Sequence, residues 1–168
     1  MAITMYQASV PVFSKYLSAM KAVLGKAEAQ AATMKVEPAV LLQARLYPNM
    51  FTLTRQLQIA ADFAKSATAR ISGKEPPSFP DTETTFAELI TRIDRTLAFV
   101  QAVPASALDG QEERTVEIKV GGQPLTFKAL PYLLNFVLPN FFFHLTTAYA
   151  ILRHNGIDLG KRDFTGGF

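Results

Sequence analysis

The chain of 168 residues has no cysteine and only two histidines. Without thiols it cannot have a disulfide framework, a thiolate zinc site or a cysteine nucleophile, and its composition suits a reducing compartment such as the cytoplasm. Charge is sparse as well: 18% of the residues are charged and 49% are hydrophobic. The formal charge of +3 arises from 17 basic and 14 acidic residues scattered along the chain. There is no Lys/Arg stripe to follow a phosphate backbone, so nucleic acid is not an expected partner. The N-terminal stretch MAITMYQASV has no basic region followed by a long apolar run, and no signal peptide is expected. Repeats and low-complexity tracts are absent. So are a Ser-His-Asp order, a carboxylate pair and a glycine-rich phosphate loop; LGKR at 159–162 lacks the preceding glycine and the following Ser/Thr of a Walker motif.

What is abundant is apolar surface. A chain of this length buries a core as one domain, here taken as residues 1–168, and the apolar excess predicts a homodimer that covers what is left over. Tyr132 to Leu152 is long enough to span a bilayer. Asn135, Pro139, Asn140 and His144 within it are costly in lipid and easily housed in a bundle, so it reads as a buried helix and no membrane association is expected.

The periodicity predicts four long helices. The first runs from about Thr4 to Thr33, with Val12, Tyr16, Met20, Val23 and Leu24 at helical spacing. Pro38 and Pro48 bracket a short helical connector. The second helix carries Met50, Leu53, Leu57, Ala60, Ala64, Ala67 and Ile71 in steps of three and four and stops before Gly73. GKEPPSFPD, with three prolines, is a loop, and Thr85 and Glu88 after it form a capping box for a third helix with Phe86, Leu89, Ile93, Leu97 and Val100 on its apolar face. The period then changes to two. Val116, Ile118 and Val120 alternate with charged residues, Gly121-Gly122 suits a two-residue turn, and Leu125 and Phe127 continue the apolar face of a small β-hairpin. A hairpin this small needs a bundle or a second subunit to cover that face. The fourth helix, about Pro139 to Asn155 and stopped by Gly156, contains both histidines.

His144 and His154 are separated on that helix by roughly 15 Å along the axis and about 280° around it, so they cannot share a metal ion. His154 lies in the last turn, where an imidazole meets free carbonyls and the negative end of the helix dipole. His144 lies among phenylalanines, with Asn140 one turn before it and Tyr149 about one turn after. There a histidine reads first as a hydrogen-bonded core residue.

Four helices, a last helix ending in LRHNG and a histidine nine residues before its arginine resemble the DinB-like (YfiT-like) four-helix-bundle superfamily. More narrowly, ASVPVF, LLQARLYPNMF, PNFFFHLTTAYAILRHNG and LGKRDF, in this order, resemble its bacterial branch called domain of unknown function nineteen ninety-three. The resemblance covers nearly the whole chain and implies a mostly α bundle with a hairpin between helices three and four. Metal-binding members carry one histidine on the second helix and an H-x-x-x-H pair on the fourth. Matching those patterns puts His144 at the second histidine of the pair, Asn140 at the first and, through LQIAAD, Gln58 at the third ligand. Neutral amides are weak ligands for zinc or nickel, so this set is expected to form a polar network in place of a metal centre. No cofactor is expected; a divalent metal such as zinc or nickel, held by His144, Asn140 and Gln58, is the alternative.

The expected function is non-catalytic binding of a small molecule or a protein partner, at a pocket floored by Gln58, Asn140 and His144 and lined by Phe51 and Tyr149. Metal-dependent thiol transfer or hydrolysis, as found in the superfamily, is the alternative. A structural dimer without a ligand is a third reading, distinguished by whether the space beside His144 is open. Arg45, Asp62, Tyr149 and Arg153 read as salt-bridge and capping residues, with Arg45 or Arg153 as anion clamps in a functional reading.

Overall fold

The computed structural model describes residues 2–167. Four long helices, α1 (Val10–Met34), α3 (Leu53–Ile71), α4 (Phe86–Gln101) and α6 (Leu138–His154), form a bundle. Short helices α2 (Pro38–Leu42), α5 (Ala129–Pro131) and α7 (Lys161–Thr165) and a hairpin of β1 (Thr115–Val120) and β2 (Gln123–Lys128) complete the chain. Around the bundle α1 packs on α4, α4 on α3 and α3 on α6, while α7 lies along α1. The architecture is the mostly α bundle with a small hairpin that the periodicity predicts, and its core follows the predicted stripes. Leu53, Leu57, Ala60, Ala64, Ala67 and Ile71 of α3 are all buried, and the three alanines let neighbouring helices approach closely.

Boundaries differ from expectation where proline and capping decide them. Helix α1 starts at Val10 rather than Thr4, because Pro11 belongs in a first helical turn and the Ser9 hydroxyl donates to the Met5 carbonyl at 2.6 Å in the preceding turn. The Thr85–Glu88 capping box is formed: the Thr85 hydroxyl accepts from the Glu88 backbone at 3.1 Å, and the Glu88 carboxylate accepts from the Thr85 backbone at 3.0 Å. The last long helix starts ten residues before the predicted Pro139, since α5 leads through a π-helical turn at Tyr132–Val137 directly into α6. Pro139 has no N–H and its ring crowds the carbonyl four residues back, and a wider turn at that point accommodates both effects.

In the hairpin Val116 pairs with Phe127 and Ile118 with Leu125, and Gly121 and Gly122 take φ of +56° and +82° in the turn. Only the base of its apolar face is covered. Val116 and Ile118 are buried and Phe127 packs against Tyr132 and Phe136, whereas Val120 and Leu125 remain 45% and 39% exposed. The second apolar side of α6 is largely covered by its own chain, since Phe142 meets Tyr16 edge-on at 4.8 Å and Tyr149 meets Phe164 at 5.8 Å. The tail likewise stays with its own chain through the Lys26–Asp163 ion pair. No helix among the described residues is long and apolar enough to cross a membrane.

Candidate functional site

The contact between α3 and α6 brings together two buried polar side chains. Gln56 and His144 are 1% and 7% exposed, and the Gln56 amide oxygen lies 2.6 Å from His144 Nδ1. The proton can be assigned from the neighbours. The Phe51 carbonyl oxygen can only accept, and Gln56 Nε2 donates to it at 3.3 Å. The Gln56 oxygen therefore faces the histidine, Nδ1 must carry the hydrogen, and Nε2 holds the lone pair. Among the described residues the polar side-chain atoms sealed from solvent without a partner are Ser14 Oγ and Arg92 Nε. His144 Nε2 is not one of them, and no group among the described residues bonds to it, so it is not sealed from solvent.

Burial, reinforced by the positive charge of Arg55, lowers the His144 pKa from its ordinary value to about 4. The ring is neutral at physiological pH. Aromatic side chains frame it: Phe63 is stacked at 6.0 Å between centroids and 21° between planes, and Phe143 meets it edge-on at 5.2 Å. Phe63 in turn packs against Phe136 in the π-helical turn. Phe143 is 56% exposed, so an open aromatic ring borders the imidazole. Phe63 also lines a shallow cleft of about 210 Å³ along the outer side of α3, with Arg55 and Arg70 among its other walls.

The predicted site residues do not all converge here. Gln58 is buried, but its amide donates to Glu83 at 2.9 Å and its oxygen accepts from Arg55 at 3.2 Å, so it belongs to the strap between α3 and α4. The α3 side chain that bonds to His144 is Gln56 and not Gln58. Asn140 donates to the Phe136 carbonyl at 2.7 Å, within its own helix, and does not bond to His144. Tyr149 faces Phe164 and is not part of this aromatic frame. His154 is exposed, and the end of α6 is held by Asn155 and Arg153, which donate to the carbonyls of Ile151 and Ile157 at 2.8 and 3.4 Å. Arg45 bonds locally to the Pro48 carbonyl, and Asp62 pairs with Lys65 and Arg92.

The family model described as domain of unknown function (DUF1993) matches residues 5–165. The chain belongs to this family. A crystal structure of a DinB family member protein from Shewanella denitrificans is similar to it, with 39% sequence identity, a TM-score of 0.87, and coverage of 97% of this chain and 92% of that one. No curated protein matches the chain. This DUF1993 protein is thus DinB-like in fold, and the metal centre implied by the superfamily can be tested against its residues. One imidazole is present, and its Nδ1 is committed to Gln56. Gln56 and Asn140 supply only amides, and among the described residues no group of three His, Cys, Asp or Glu side chains is placed to hold a metal ion. These residues do not fit a zinc or nickel site, which calls for three or four imidazole, thiolate or carboxylate donors.

Proposed function

We propose that this DUF1993 protein is a non-catalytic, cytoplasmic binding protein for a small molecule or protein partner, acting as a homodimer with a degenerate metal site. The observation that carries this reading is the Gln56–His144 hydrogen bond. It holds a neutral imidazole in place with the exposed Phe143 ring edge-on to it. Exposed aromatics around a few fixed polar atoms are typical of ligand and partner sites. The dimer is supported by the overhanging hairpin, where Val120 and Leu125 extend the apolar face beyond the bundle. The experiment is elemental analysis of untagged protein combined with a thermal-shift screen of small apolar compounds. Sub-stoichiometric zinc and nickel, with stabilisation by some compounds that is lost in Phe143→Ser, is the expected result. Stoichiometric metal dependent on His144 would overturn the reading in favour of metal-dependent thiol transfer or hydrolysis.

A further inference from the structure

The hydrogen-bond direction at His144 narrows the ligand class, on the reading that this site binds a small molecule. We propose that His144 Nε2 accepts a hydrogen bond from a small flat ligand carrying an O–H or N–H donor, of the phenol or indole class, laid against Phe63 and Phe143. Three observations converge on it. The Phe51 carbonyl fixes the Gln56 amide, and the Gln56 oxygen fixes the proton on Nδ1, so the outward nitrogen can only accept. A ligand that presents an acceptor would set two lone pairs against each other. The Phe63 ring parallel to the imidazole and the Phe143 ring across its edge give a flat apolar ligand the offset-stacked and edge-on contacts that aromatic groups favour. Arg55, whose charge acts on the imidazole, weighs against a cationic ligand.

A metal ion would meet one nitrogen donor and no second imidazole, whereas a donor-bearing ring needs only the one lone pair and the apolar walls.

The test uses the full chain labelled with nitrogen-15 at histidine. Long-range nitrogen–proton correlation spectra are expected to show Nε2 of His144 unprotonated. Phenol titration should then shift that nitrogen saturably. Anisole, which keeps the ring and removes the donor, should bind about fivefold more weakly, as expected for one neutral hydrogen bond. In His144→Phe the preference for phenol over anisole should fall to one. A protonated Nε2 in the wild-type protein overturns the proposal even if that variant does not fold. Equal affinity for phenol and anisole also overturns it while leaving the binding reading in place. No saturable shift with phenol or indole overturns it as well, and the binding reading then stands or falls on the thermal-shift screen.

Discussion

The fold favours a neutral His144, and this gives the protein an acid sensitivity that can be assigned to one residue. Its folded pKa of about 4 lies below the ordinary value of 6.5. Between those values the unfolded chain binds the extra proton, so stability rises with pH through this window and is lost as pH falls. The charged group acting on the ring is Arg55, which is tied to Gln58 and Asp81, and among the described residues no carboxylate bonds to the imidazole to offset its effect. By linkage the loss from pH 7 to pH 5 is about 2 kcal/mol. Urea unfolding at both pH values should show wild type losing about that much more stability than His144→Phe, and an equal loss in the two proteins would contradict the assignment. Gln56→Leu should cost about 1–3 kcal/mol at pH 7, because it leaves the Nδ1 hydrogen buried without an acceptor. Gln56 was legible from spacing alone. It stands three residues after Leu53 and four before Ala60, on the edge of the buried stripe, whereas Gln58 lies about 100° beyond Leu57 around the helix. The motif comparison pointed to Gln58; the periodicity of α3 favours Gln56.

Long helices announce themselves through spacing, and the segment that crosses between α3 and α4 does not. The stripe of α3, the capping box of α4 and the Gly-Gly turn of the hairpin are local patterns, each readable in a window of a few residues. The strap from Ser72 to Thr85 is instead held by Arg92, a charged residue in α4 that is only 2% exposed. Its guanidinium pairs with Asp62 at 3.0 Å, Asp81 at 2.9 Å and Glu83 at 3.0 Å, and donates to the Pro80 carbonyl at 3.1 Å. Phe79 of the strap lies under the cations of Lys65 and Arg95, each 4.2 Å from the ring centroid. Nothing in the spacing of Arg92 foretells this, because its partners come from α3 and from a proline-rich segment without periodicity. Asp62 and Asp81 are more than a third exposed and can be rehydrated while Glu83 cannot, so Arg92→Met should destabilise the protein by about 1–3 kcal/mol. Because the clamp is local to the strap, limited trypsin digestion of the folded variant should cut at Lys74 faster than in wild type. Equal cleavage rates would mean that the prolines, and not Arg92, hold the strap.

At the scale of the molecule the question is which apolar surface the chain leaves for a second copy. The phenylalanines of α6 outnumber what one buried stripe requires. In the fold, Phe141 is buried against Phe13, Phe142 is half-buried against Tyr16, and Phe143 is the exposed one. Long-range packing of α1 and α7 onto α6 consumes most of the surplus, which no local pattern could foretell. Besides Phe143 and the group Val40, Leu46, Tyr47 and Phe51 before α3, uncovered apolar residues lie at the far end of the hairpin and beside the N-terminal turn, where Ile3, Leu130 and Leu134 line a cleft of about 230 Å³. Two-stranded hairpins are marginal alone, and one with half its apolar face in water gains most from a partner. The dimer is accordingly expected to use the Val120–Leu125 tip. Light scattering at micromolar concentration should give a dimer mass for wild type and a monomer mass for Leu125→Lys. Because Leu125 is 39% exposed, its replacement removes little packing within the subunit, so the monomeric variant should keep the wild-type circular dichroism spectrum. A dimer mass in Leu125→Lys would move the interface away from the hairpin, and a monomer mass for wild type would end the dimer reading.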